Sequence, residues 1–211
     1  MSIESSNKPG HEEITHNGWS LVYSPEFIQY KEKYKNIISK VKRVIEGDQV
    51  EGIEIKKIQE ASEIEREYFL LKIGTDEFFI KKMPNVKEGG VTEFKAGMDI
   101  ESRLTKSNIG KVKAIQYIFA YSDNSIRYVV SRYEKDAENT LYDYIGKLRV
   151  EGNYTKSKEL ENRLEEIQNC LFDYMDIRSG NMGYNPITDE IVLFDINLKK
   201  DSLIESSDDE L

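Results

Sequence analysis

Residues 174–198, YMDIRSGNMGYNPITDEIVLFDINL, place three polar residues at telling intervals: Asp176, Asn181 five positions later, and Asp195. Between the last two lies a hairpin signal. Met182 and Tyr184 can pair with Ile191 and Leu193, and Asn185-Pro186-Ile187-Thr188-Asp189 supplies turn chemistry between them. The spacing therefore predicts Asp176 and Asn181 on one short loop, with Asp195 returned beside them at the exit of the second strand.

Oxygen-bearing side chains brought together in this way suit magnesium. The ion is hard, prefers oxygen, and is commonly held by one or two carboxylates together with substrate phosphates. Asp, Asn and Gly are also ordinary turn and capping residues, and D-x-x-x-x-N alone is a weak pattern. The upstream sequence has to carry the difference.

D-x-x-x-x-N, a hairpin, then apolar-apolar-Asp resembles the catalytic and metal-binding loops of the protein-kinase fold. On that resemblance Asp176 matches the catalytic-loop Asp, which accepts the substrate hydroxyl proton. Asn181 and Asp195 match the Asn and Asp that hold Mg²⁺ against ATP. The sequence departs from the family in three places. Tyr174-Met175 replaces the usual His-Arg, Arg178 stands where Lys is common, and DFG has become Asp195-Ile196-Asn197. The resemblance gives Arg178 the task of offsetting charge on the transferring phosphoryl group.

Composition narrows the alternatives. A chain of 211 residues fits one domain, or one domain of two lobes. Apolar content of 38% and charged content of 33% suit a globular protein with a wet surface. A net charge of −9 disfavours nucleic acid and anionic membrane as partners, since both call for a basic face. The single cysteine, Cys170, rules out an internal disulfide and suits a reducing, cytoplasmic compartment. No apolar run approaches the roughly 18 residues of a membrane span, and no secretory signal pattern opens the chain. Both histidines, His11 and His16, fall in a polar leader, which argues against a His triad or a His-rich zinc site.

Taken in order, residues 1–18 read as a disordered polar leader and 19–50 as a helical extension. Ser24-Pro25-Glu26 is a helix start. Phe27, Tyr30, Tyr34, Ile37, Val41 and Ile45 then predict one helix of about six turns, ending near Gly47. Residues 51–134 would form an N-lobe. Strands are expected from Ile53, over 67–73 and over 77–83, the last two joined at Gly74-Thr75-Asp76. Two more, over 111–121 and 125–133, complete a five-stranded sheet. The first turn, around Ser62 to Arg66, contains no glycine, so backbone amides could approach a phosphate only past bulkier residues.

Phe78-Phe79-Ile80-Lys81 sits where kinases carry V-A-I-K. The resemblance therefore makes Lys81 the phosphate-contacting lysine, with Lys82, on the opposite strand face, as the alternative. A helix over 91–107 would supply its carboxylate partner. Glu93 and Glu101 are the candidates, about 80° apart around the axis. Glu101 is favoured because Leu104 follows it by one turn. Ser131-Arg132-Tyr133-Glu134 falls where a kinase hinge meets adenine.

Residues 135–200 would be a truncated C-lobe. It comprises a short helix from Thr140, a long helix over 155–173 with Leu160, Leu164, Ile167 and Leu171 on one stripe, and the loop at Asp176. Residues 201–211 read as a disordered acidic tail.

The expected fold is α+β and protein-kinase-like: bilobal, a five-stranded antiparallel N-lobe sheet with one helix, and a truncated, mostly helical C-lobe. It is similar to the minimal effector kinases that some bacterial pathogens inject into host cells. That resemblance implies ATP-dependent phosphorylation of Ser or Thr in a protein substrate with Mg²⁺. It also implies a host protein as target, an activating protein partner, and action in a host cytosol. Two other readings stand beside it: a pseudokinase acting as a protein-binding module, which the glycine-free turn favours, and a small-molecule kinase of the same fold.

Overall fold

The computed structural model describes residues 4–8, 11–16, 19–33, 36–61, 66–83, 89–107, 109–124, 126–135, 139–175, 177–195 and 197–198. The chain forms two compact units. One comprises Met1–Phe94 with Gln116–Tyr133; the other comprises Lys95–Ile115 with Glu134–Leu211.

The first unit is built on an antiparallel sheet. Its strands are β1 (Glu4–Lys8), β2 (His11–His16), β3 (Trp19–Tyr23), β4 (Ile53–Ala61), β5 (Arg66–Ile73), β6 (Asp76–Met83), β8 (Tyr117–Asp123) and β9 (Arg127–Arg132). A further strand, β7 (Val112–Ala114), belongs to the second unit. The order across the sheet is β1-β2-β3-β8-β9-β6-β5-β4. Four of the five expected strands appear as β4, β5, β6 and β9, and part of the fifth as β8, but the sheet is larger than expected. Residues 4–23, assigned to a disordered leader and the start of a helical extension, add three strands at its edge. Composition concealed them. ESSNK and HEEITH carry almost no apolar residues, and ladder hydrogen bonds between backbones do not require any.

Residues expected to form one long helix make two, α1 (Pro25–Lys33) and α2 (Ile37–Ile45), and Tyr34 lies outside the described residues. Asn36 stands immediately before α2 with φ 60°, a left-handed conformation that interrupts a helix and that Asn tolerates better than most residues. Gly47, at φ +103°, closes α2 in the conformation that favours glycine and donates its N–H to the Val44 carbonyl.

Side-chain alternation gives the sheet two faces. Phe69, Leu71, Ile73, Phe78, Ile80, Phe119, Tyr128 and Val130 pack with Phe27, Ile37, Val41, Val44 and Ile45 of α1 and α2 in one buried cluster. The opposite face carries a row in which Tyr68, Lys81, Val129, Ala120 and Val22 are successive cross-strand neighbours.

In the second unit the main helices are α4 (Leu141–Val150), α5 (Tyr154–Cys170) and the part of α3 (Gly89–Ser107) that follows Phe94. They enclose a separate core with Ile100, Leu104, Leu141, Ile145, Leu148, Leu160, Ile167 and Leu171. The small strands here are β7, β10 (Tyr174–Met175), β11 (Met182–Asn185), β12 (Glu190–Leu193) and β13 (Asn197–Leu198). β12 pairs antiparallel with β11 and parallel with β7, while β10 pairs with β13. The single strand expected over 111–121 is thus divided between two sheets. Ile115 donates its N–H to Leu193 on the β7 side, while the Gln116 carbonyl accepts from Arg132 on the β8 side. Adjacent residues are committed to different ladders, which no local pattern reveals.

Thr140 caps α4 by accepting from the Asp143 N–H at 3.1 Å. Among the described residues, no helix is long and apolar enough to cross a membrane. Residues 199–211, including the expected acidic tail, lie outside the described residues.

Candidate functional site

One candidate group of residues is in the first unit. Alternation along β6 places Lys81 on the sheet face away from α1 and α2, where it is 5% exposed. Its ammonium meets Glu93 Oε2 at 2.8 Å, and Glu93 is equally buried. The other carboxylate oxygen of Glu93 accepts from the Tyr117 hydroxyl at 3.3 Å. Phe94, fully buried, stacks edge-on against the Tyr117 ring, with centroids 6.0 Å apart. Burying an ion pair carries a desolvation cost of several kcal/mol per ion, so such a pair is weak evidence of stability and stronger evidence of a task.

The partner expected for Lys81 was Glu101; the structure assigns Glu93 instead. Glu101 is exposed, and its Oε2 accepts from the Ala114 N–H at 3.0 Å, anchoring β7 within the second unit. The two glutamates leave α3 in different directions, and the apolar Leu104 that favoured Glu101 simply belongs to the second core. Lys82, the alternative to Lys81, takes the other sheet face. There it bonds Glu67, which Lys57 also contacts. The Lys57 and Lys82 ammonium groups hold the Glu67 carboxyl below its usual value.

A second candidate group is in the second unit, and its hairpin matches expectation in register. Met182 faces Leu193 and Tyr184 faces Ile191. Asn185 Oδ1 accepts from the Ile187 N–H at 2.9 Å and closes the turn as an Asx motif. The pairing brings residues 181 and 195 together through the backbone. The Phe194 N–H donates to the Asn181 carbonyl at 3.0 Å, and Asn181 Nδ2 reaches the Asp195 carbonyl at 3.4 Å. Asp195 has φ +55°, an uncommon conformation for a residue with a side chain. Strained backbone of this kind concentrates at functional sites.

Arg178 is exposed and precedes a single 3-10 turn, Ser179–Asn181, accepting the Asn181 N–H at 2.9 Å on its carbonyl. Asp176 lies outside the described residues, as do 62–65 of the glycine-free turn. In the segment expected to act as a hinge, Arg132 and Tyr133 donate their N–H groups to the carbonyls of Gln116 and Glu77.

Asn181 and Asp195 offer an amide oxygen and a carboxylate, the hard donors that Mg²⁺ prefers, so the residues present fit that ion. Among the described residues, no group of three or more His, Cys, Asp or Glu side chains is placed to hold a metal.

A network the sequence did not signal supports the hairpin from beneath. Asp189, with φ 58° at the end of the turn, accepts from Tyr184 at 2.7 Å, Lys156 at 2.9 Å, and Lys111 and Arg163 at 3.0 Å each. Burial alone would raise its pKa, but the Tyr184 hydroxyl, the Lys156 and Lys111 ammoniums and the Arg163 guanidinium outweigh that and hold the carboxyl well below the usual range. Lys156 and Arg163 stand seven positions apart on α5, two turns of one helix face, and basic residues there are ordinary, so they carry no local mark of this role.

Compared with known proteins, the chain matches no family model and no curated protein.

Proposed function

We propose that this chain is an ATP-dependent kinase of the minimal Ser/Thr protein-kinase type, transferring the γ-phosphate of ATP to a hydroxyl of a protein substrate. The observation that carries the reading is the buried Lys81–Glu93 pair at 2.8 Å. A strand lysine held by a helix glutamate, away from water, is the arrangement that phosphoryl transfer uses to contact the α- and β-phosphates. The hairpin supports it independently by bringing Asn181 to Asp195.

In this reading Lys81, kept in place by Glu93, binds the inner phosphates of the nucleotide. Asn181 and Asp195 hold Mg²⁺, which neutralises charge on the β- and γ-phosphates when bound. Asp176 accepts the proton of the substrate hydroxyl, a general-base contribution typically worth ~10²–10⁴ in rate. Arg178 offsets charge on the transferring group.

The test is labelling from radiolabelled ATP. Wild-type protein is expected to transfer label to itself or to a generic protein substrate, and Asp176→Ala is expected to abolish transfer while unfolding at the same temperature as wild type. Equal labelling by the two proteins rejects the assignment. A pseudokinase reading is favoured by one feature, the glycine-free Ser62-Glu63-Ile64-Glu65 connection. A thermal shift with ATP in the presence of Mg²⁺ argues for the enzyme; the absence of any shift with ATP, with or without Mg²⁺, argues for the binding module.

A further inference from the structure

Strict alternation along β8 would put Tyr117 on the same sheet face as Phe119. The strand breaks that rule. Tyr117 faces Ser131 of β9 while Phe119 faces Val130, so the register shifts between the two. Ile118 and Phe119 both belong to the buried cluster that contains Phe27 and Ile37. Tyr117 is thereby turned to the other face, in line with Ser131 and with Phe79, which stands two residues before Lys81 on the same side of β6. An extra residue in one strand re-aims the side chains around it, and such irregularities are over-represented beside functional sites.

The re-aimed side chain ends on Glu93. Tyr117, 4% exposed, donates its hydroxyl to Glu93 Oε1 at 3.3 Å, while the Lys81 ammonium meets Oε2 at 2.8 Å. Phe94, the next residue after Glu93, lies edge-on to the Tyr117 ring and holds it from the side. The terminal torsion of a glutamate is broad, so a carboxylate held at one oxygen can swing about it. A donor at each oxygen fixes its plane. The oxygen that meets Lys81 is then fixed as well, and with it the end of a long side chain that is otherwise rich in rotamers.

We propose that Tyr117 is a positioning residue for Lys81: its hydroxyl orients the Glu93 carboxylate, which in turn sets where the ammonium stands to receive phosphate oxygens. All three residues lie in the first unit. The consequence for nucleotide binding rests on the kinase reading; the coupling of hydroxyl to carboxylate does not. Tyr117→Phe keeps the buried ring and its contact with Phe94 and removes only the donor.

The experiment titrates the full chain with Mg-ADP and with adenosine in a calorimeter. Tyr117→Phe is expected to bind ADP roughly tenfold more weakly than wild type, the worth of one hydrogen bond to a charged group. Adenosine, which has no phosphate, is expected to bind both proteins equally. Urea midpoints are measured in parallel in two backgrounds. The midpoint should fall on Tyr117→Phe in the otherwise wild-type chain, and should not fall in the Lys81→Met, Glu93→Leu double variant, where the acceptor is gone. Wild-type ADP affinity in Tyr117→Phe, or an equal fall in midpoint in both backgrounds, overturns the proposal. Equal weakening of ADP and adenosine also overturns it, since that marks a general loosening of the first unit. A wild-type chain that binds neither ligand rejects the kinase reading instead, and the comparison of midpoints still decides whether Tyr117 acts through Glu93.

Discussion

Two acid–base clusters invite comparison: Lys81 with Glu93 in the first unit, and Asp189 with its donors in the second. Lys81 and Glu93 are each about 6% exposed in the side chain, beside Phe94 and in a sheet row of mostly apolar neighbours. Asp189 keeps 26% of its side chain exposed and is met by two lysines, an arginine and a tyrosine. The second cluster surrounds one carboxylate with donors and fastens a turn to a helix. The first places a cation and an anion where water scarcely reaches, which stabilises little by itself. The difference separates a structural clasp from a buried pair to which the proposed reading gives a chemical role.

The largest expected effect breaks the first cluster. Lys81→Met leaves Glu93 buried without its cation and should cost ~3–5 kcal/mol of unfolding free energy, read as a lower urea midpoint. Lys81→Met with Glu93→Leu should recover most of that stability but no phosphoryl transfer. An unaltered midpoint in the single variant would show that the pair is more hydrated than the structure indicates.

Removing the acceptor of the second cluster comes next. Asp189→Ala should cost ~2 kcal/mol, since its hydrogen bonds involve charged donors, and the midpoint should fall without loss of nucleotide affinity.

The same residue makes a pH prediction. Its folded pKa lies below the unfolded value of about 3.9, so the unfolded chain binds more protons as pH falls toward and below that value. The stability contributed by Asp189 is therefore present above about pH 4 and lost as pH drops further. The gap in urea midpoint between wild type and Asp189→Asn should be wide at neutral pH and narrow on acidification. A gap that stays constant would detach the carboxylate's charge from its role.

A smaller effect tests a cap: Thr140→Ala removes the Asp143 N–H acceptor from the start of α4 and should cost ~1 kcal/mol. Smallest is Arg43→Ala. Its bond to Asp48, 2.7 Å long, joins two side chains that are both more than half exposed, so the urea midpoint should scarcely move.

What could be read in advance followed distance along the chain. The 182–193 hairpin was legible to the residue, because alternation and an Asn-Pro turn act over a few positions. The helices α4 and α5 were legible for the same reason. Alternation put Lys81 and Lys82 on opposite sheet faces, and only the resemblance chose between them. The partner of Lys81 was not legible, because Glu93 and Glu101 are equally plausible on an isolated helix. The division of residues 112–123 between two sheets was hidden as well, since Ile115 and Gln116 look like any interior of one strand.

The sequence by itself determined the hairpin that carries Asn181 to Asp195, the helices α4 and α5, and the acidic, single-cysteine character that narrows the range of partners. Only tertiary structure decided that Glu93 closes on Lys81, that Asp189 gathers three cations, and that polar residues 4–16 join a sheet. The physical reason is reach. Periodicity and turn chemistry act within a few residues, whereas an ion pair across two elements, or a ladder between polar strands, exists only once packing has brought the partners together.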